Sequence, residues 1–127
     1  MYLGIDFGGS HIKYGLLHNK SLICAQQFAI AGYAFADLMV ETASRIQMLL
    51  ADQGLKNDSL QGIAIAVPGI VDSDKSQLLS LPKDKYTGAL GFDFADWSEQ
   101  NFGQKADLFN DAILALLGEV WAGAGQN

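Results

Sequence analysis

Apolar residues run almost unbroken from Tyr2 to Phe7, stop at Gly8-Gly9-Ser10, and resume over residues 12–17. Short apolar runs bounded by glycine predict two strands joined by a hairpin. A third strand-like run, residues 21–30, follows a natural turn at Asn19-Lys20, so the chain is expected to open as an antiparallel meander. At Phe35 the period changes. Phe35, Leu38, Met39, Thr42, Ala43, Ile46, Leu49 and Leu50 recur at spacings of three and four, which predicts an amphipathic helix over residues 35–52. Gln53-Gly54 ends it, with Gly54 suited to a C-cap. Residues 62–67 form a short, wholly apolar run of the kind expected for a strand covered on both faces, stopped by Pro68-Gly69. Residues 70–94 read as irregular, with turns at Asp72-Ser73-Asp74, Pro82 and Gly88. Long irregular stretches inside compact domains are often functional. A short helix carrying Trp97 is predicted over 95–102, a brief strand over 105–109, and a last helix from Asn110-Asp111 to about Ala122.

The order βββ, α, β, α, β, α predicts an α/β fold, with a mixed five-stranded sheet and helices on its faces. A length of 127 residues suits one domain with a real core. The strand ends at Phe7, Val67 and Phe109 would then converge at one edge, where open α/β sheets tend to bind ligands. Three punctuated motifs, Asp6-Gly8-Gly9, Pro68-Gly69 and Asn110-Asp111, are expected at that edge.

Composition narrows the partners. The chain is 50% hydrophobic and 17% charged, with net charge −6 and no basic run, so neither nucleic acid nor an anionic membrane is expected as a partner. No apolar stretch approaches the roughly 18 residues that span a bilayer, and no basic-flanked leader precedes the first strand. The single Cys24 allows no internal disulfide and fits a reducing cytoplasm. It lies in an apolar run and is expected in the core. His11 and His18 lack partners at metal-ligand spacing.

The candidate chemistry starts with Asp6, Gly8, Gly9, Ser10 and Lys13. The two glycines are expected to supply turn φ angles closed to other residues and to let backbone approach a ligand. Successive N–H groups in such a turn can cradle phosphate oxygens, with the Ser10 hydroxyl as a further donor. Asp6 at the strand end could hold Mg²⁺ through water, and Lys13 could add a compact positive charge. The plain alternative is a tight hairpin with a capping aspartate. Asn110-Asp111 likewise reads two ways: as an N-cap for the last helix, or as a general base, Asp111, with Asn110 orienting the same substrate. Gly69 either ends a strand or lets a flat sugar-like ligand lie on bare backbone.

Taken together, Gly4-Ile5-Asp6-Phe7-Gly8-Gly9-Ser10-His11-Ile12-Lys13-Tyr14-Gly15-Leu16, Ala66-Val67-Pro68-Gly69-Ile70-Val71-Asp72, and Asn110-Asp111-Ala112 leading to Leu117-Gly118-Glu119-Val120-Trp121-Ala122-Gly123 resemble the ROK family of sugar kinases and sugar-responsive repressors. That family belongs to the actin-like ATPase, or ribonuclease H-like, superfamily. The resemblance covers the whole chain in the family's order. It implies that Asp6, Gly8, Gly9, Ser10 and Lys13 form the first phosphate loop for ATP with Mg²⁺. It implies also that Asn110, Asp111 and Gly69 meet the sugar, Asp111 being the base that activates its hydroxyl. The reaction implied is transfer of the ATP γ-phosphoryl group to a hexose or amino sugar. Ser10 replaces the family's usual Thr and keeps the hydroxyl. Ile113 replaces an Asn that usually follows Asn-Asp-Ala, which alters hydrogen bonding at that helix start.

The family's second phosphate strand, Glu–His sugar motif, zinc site and adenosine pocket are expected beyond Asn127, so residues 1–127 look like the N-terminal lobe of a two-lobed enzyme, inactive alone. Without the Glu–His motif the sugar stays open among glucose, N-acetylmannosamine, N-acetylglucosamine, fructose, allose and β-glucosides. Two rivals are a sugar-sensing repressor of the same family and another actin-like ATPase. The repressors carry a helix-turn-helix ahead of the first strand, whereas here the strand begins at residue 2 and the charge is acidic. The last helix is apolar all round except Glu119, and such a helix needs cover on every side. The isolated chain is therefore expected to self-associate: light scattering at high concentration should return a mass above the monomer's, and a monomer would refute the exposed patch.

Overall fold

The apolar runs become strands and the three-four pattern a helix, at bounds close to those the pattern predicts. The computed structural model describes residues 1–19, 21–67, 70–72, 77–80, 89 and 91–110. Its elements are β1 (Tyr2–Phe7), β2 (His11–His18), β3 (Ser21–Ala29), α1 (Phe35–Asp52), a single 3₁₀ turn (Asn57–Ser59), β4 (Gly62–Val67), β5 (Ile70–Asp72), β6 (Gln77–Ser80), α2 (Phe94–Phe102) and β7 (Asp107–Asn110). Five strands form one mixed sheet in the order β3-β2-β1-β4-β7. The first three are antiparallel, while β4 runs parallel to β1 and β7 parallel to β4.

Two expectations need correction. The stretch read as irregular contains β5 and β6, paired antiparallel in a separate two-stranded sheet. Strands of three and four residues are too short for a two-residue alternation to stand out, and neither joins the main sheet. The strand predicted over 105–109 spans Asp107–Asn110 instead, so Asn110 ends a strand and does not follow one. The last predicted helix lies outside the described residues.

The core is built by alternation. Leu3, Ile5 and Phe7 of β1, Ile12, Tyr14 and Leu16 of β2, Ile63, Ile65 and Val67 of β4, and Leu108 of β7 all join one buried cluster with the inner faces of α1 and α2. Burying each large aliphatic or aromatic side chain is worth about 1.5–3 kcal/mol. Of the α1 positions marked by the periodicity, Leu38, Met39, Thr42, Ala43, Ile46, Leu49 and Leu50 are buried. Phe35 instead sits at the margin, its ring 5.1 Å from Phe92 and 6.4 Å from Phe94. Thr42 is buried because its Oγ1 donates to the Leu38 carbonyl at 2.7 Å, so no polar group is stranded. Cys24 is half-buried at the edge of the core, not inside it. Burial pushes its thiol above the ordinary value.

α1 ends as Gly54 foretold. Gln53 is the last half-helical residue and Gly54 takes φ +69°, while Gly54 N–H donates to Ala51 and Leu55 N–H to Leu50. This double bond pattern is the Schellman motif, satisfying carbonyls the helix leaves open. On the β3 side, Arg45 bonds Glu41 at 2.7 Å and lies 4.4 Å from the Phe28 ring centroid. The cation thereby covers an aromatic face that alternation alone would leave half open. Asn19 turns the β2–β3 hairpin at φ +52°, a left-handed angle that Asn tolerates.

The position of β7, and so of Asn110, depends on Ser98. Its buried hydroxyl lies 2.9 Å from the Ala95 carbonyl and 2.8 Å from that of Gln104, and accepts the Ala106 N–H at 2.6 Å. The Gln104 side chain in turn donates to the Leu60 carbonyl, tying the approach to β7 to the approach to β4. Ser98→Ala leaves the Ala106 N–H without its acceptor and should lower unfolding stability by about 1–3 kcal/mol. An unchanged urea midpoint would show that the α2–β7 turn is held by something else.

Candidate functional site

The parallel strands β1, β4 and β7 end side by side. Asp6 is in register with Ala66, Ala66 with Phe109, and Val67 with Asn110. At the usual strand spacing, β1 and β7 lie about 10 Å apart across this edge. Asp6 is therefore one row and two strands from Asn110. The convergence expected from the strand ends is present, with Asn110 as the strand's own last residue.

At the β1 end, Asp6 is half-buried and stands directly across the antiparallel pair from Lys13, which is exposed. Cross-strand partners of this kind place their Cβ atoms about 5 Å apart on one face. The hairpin tip between them is held by main chain on both sides: Gly8 N–H donates to the His11 carbonyl at 3.0 Å, and Ile30 N–H to the Ser10 carbonyl at 3.0 Å. Gly8 does not adopt the left-handed angle expected of it. What it supplies is space, because a Cβ there would stand 2.9 Å from the His11 carbonyl oxygen. The turn is a narrow backbone cradle because the chain packs against itself, and φ is not the reason.

Beneath this tip lies an aromatic floor. Phe7 meets Phe94 edge to face at 5.7 Å, and Phe94 meets Phe92 at 4.9 Å. Asp93 caps α2 by accepting the Asp96 N–H at 2.9 Å, which fixes where Phe94 enters the core. These ring contacts fix Phe7, the residue from which the hairpin tip departs.

Among the described residues no three His, Cys, Asp or Glu side chains cluster as a metal cage. A cation beside Asp6 would have one hard carboxylate from these residues and would draw its other ligands from water and phosphate. That donor set suits Mg²⁺, which keeps several waters and prefers few carboxylates. Asp111 and Gly69 lie outside the described residues. The shallow apolar groove between α1 and α2, lined by Met39, Val40, Trp97 and Asn101, contains none of the predicted site residues. No helix among the described residues is long and apolar enough to cross a membrane.

One participant escaped the sequence reading. His11, set aside as a metal ligand, places its Nδ1 2.9 Å from the Ser10 Oγ. Its adjacency to Ser10 at the end of a glycine turn was the available signal.

A five-stranded sheet in this order, with a glycine hairpin leaving the central strand, is the α/β fold of the actin-like ATPase class. The family profile described as ROK matches residues 2–127, and the chain belongs to that family. It is 30% identical to a beta-glucoside kinase of Listeria monocytogenes, a match covering 96% of this chain and 38% of that enzyme. A ROK family glucokinase from Streptomyces griseus, solved with glucose and AMPPNP, is 25% identical with TM-score 0.65, covering 99% of this chain and 38% of its own. A ROK family transcriptional regulator, homolog of the E. coli MLC protein, has TM-score 0.74 at 17% identity over 93% of this chain and 29% of its own. The fold is thus common to kinase and regulator. The chain spans about two-fifths of the length of the curated relatives it matches.

Gly8→Ala should push the His11 carbonyl out of place and destabilise the hairpin, at a cost of about 1–3 kcal/mol. Urea unfolding of the variant reads this directly, and a stability equal to the parent's would show that the tip has room to spare.

Proposed function

We propose that residues 1–127 form the N-terminal lobe of an ATP-dependent sugar kinase that phosphorylates a hydroxyl of a hexose or amino sugar. The observation that carries the proposal is the single sheet edge where the Asp6–Lys13 pair and the backbone cradle at Gly8 lie two strands from Asn110. A separation of about 10 Å leaves room for a phosphoryl group between a phosphate-binding side and a sugar-binding side.

On the β1 side, the bare backbone of Gly8 and Gly9 would let phosphate oxygens approach closely, Ser10 would offer a hydroxyl donor, and Lys13 would add positive charge. Asp6 would hold Mg²⁺ through water. The ion, when bound, neutralises charge on the transferring phosphate. On the β7 side, Asn110 orients the sugar and Asp111 accepts the proton of the attacking hydroxyl. The sugar oxygen forms a bond to the γ-phosphorus as the bond to the bridging oxygen breaks, and ADP leaves. Gly69, following β4, would let the sugar lie flat against backbone. A second lobe would complete the ATP site. A cytoplasmic location fits ATP as donor, and pairing of copies through the apolar segment after residue 111 fits its composition. The acidic charge favours this reading over the DNA-binding one.

The test begins with the gene's reading frame past the codon for Asn127, followed by ADP release from the whole product across a panel of sugars. Asp111→Asn should cut turnover by at least about 100-fold while sugar binding, measured by calorimetry, survives. Retained turnover would remove Asp111 as the base. ADP release with none of the sugars would remove the kinase reading.

A further inference from the structure

The geometry points to His11 as the positioning residue of the phosphate loop, acting on the Ser10 hydroxyl and through it on bound phosphate. This inference rests on the proposed phosphate-binding role of Ser10. Three observations meet at this pair. The His11 Nδ1 and Ser10 Oγ are 2.9 Å apart. The His11 backbone is set in the β2–β3 ladder opposite Ala29, and its carbonyl accepts the Gly8 N–H. The next residue, Ile12, is fully buried, which anchors the strand start. Ser10, by contrast, sits at the exposed tip. A hydroxyl in that place has free rotation about χ1 and about its own O–H bond unless a neighbour restrains both. The ring of His11, rooted in the sheet, is that restraint.

The direction of the bond decides the chemistry. Where the Ser10 O–H donates to Nδ1, the proton points at the ring and the oxygen lone pairs are left for the loop, which repels an anion. Where Nδ1–H donates to Oγ, the Ser10 proton is released to donate to a phosphate oxygen. An incoming phosphate therefore selects the tautomer with the proton on Nδ1, and a two-link chain forms: Nδ1–H to Oγ, then O–H to phosphate. Links in such a chain polarise one another and strengthen the last donor. Neither a buried role nor a metal role for His11 is needed.

The pair behaves as one unit, so a double-substitution cycle reads it. In the whole gene product, His11→Ala should raise KM for ATP by about three- to tenfold, the worth of one hydrogen bond, with kcat changed less than about twofold. Ser10→Ala should cost a similar factor, and the double variant no more than either alone. His11→Asn, whose side-chain N–H can donate in place of Nδ1–H, should recover most of the affinity. Additive effects of the two alanines, or an unchanged KM in His11→Ala, would overturn the inference. A second readout stands apart from turnover: the ¹⁵N chemical shifts of the His11 ring should move on Ser10→Ala and on addition of MgATP. Ring shifts indifferent to Ser10→Ala would refute the contact itself. If the parent protein releases no ADP with any sugar, the kinase reading fails, and the ring shifts still decide the Ser10–His11 contact.

Discussion

β1 is hydrogen-bonded along both edges, antiparallel to β2 and parallel to β4, and the candidate site follows from that double pairing. The antiparallel partner turns back at once, which puts Lys13 across from Asp6 and closes a narrow tip around Gly8. The parallel partner can be reached only by a crossover, which α1 supplies. Because β4 is then parallel to β1 and β7 to β4, their C-terminal ends share one edge. A register slip of one residue would exchange every inward and outward side chain of the strand concerned. The unbroken set Leu3, Ile5, Phe7 on the core side makes that slip costly, so Asp6 is held away from the core it flanks.

Several contacts translate this sheet into a rigid edge. Ser98, midway along α2, ties that helix to the turn before β7, and Gln104 carries the tie on to Leu60 just before β4. The Asn101 carbonyl also receives the side-chain amides of Gln47 in α1 and Asn57 in the 3₁₀ turn. At the opposite end, Phe7, Phe35, Phe92 and Phe94 interlock edge to face under the glycine tip. Polar ties at one end and edge-to-face rings at the other hold the strand ends against each other. A narrow tip made of backbone needs such support, because it has few side chains of its own to restore its shape.

Charge and family point the same way. An acidic chain with an isolated lysine beside a glycine tip is suited to a small anion paired with a cation, and poorly suited to a polyanion. The chain belongs to the ROK family, and its fold is common to a glucokinase and a transcriptional regulator.

Strand and helix positions were legible in the sequence wherever a pattern persisted for six residues or more: β1, β4 and α1 match their apolar runs at both ends. Local turn chemistry was equally readable in Gly54, whose left-handed φ closes α1, and the β1–β2 hairpin was readable as a turn, though not the reason for its glycine. The small β5–β6 sheet was not readable, since strands so short gain definition only by pairing with each other. Nor could the sequence say that Gly8 is required for space and not for φ, because the obstructing atom belongs to His11 and is brought there by the fold. The role of His11 was hidden for the same reason. Its neighbour in sequence was known, but a hydrogen bond is a matter of direction as well as adjacency. Periodicity decided which residues face inward. The close approach of atoms at the tip and at the strand ends, set by register and packing, was decided only by the tertiary structure.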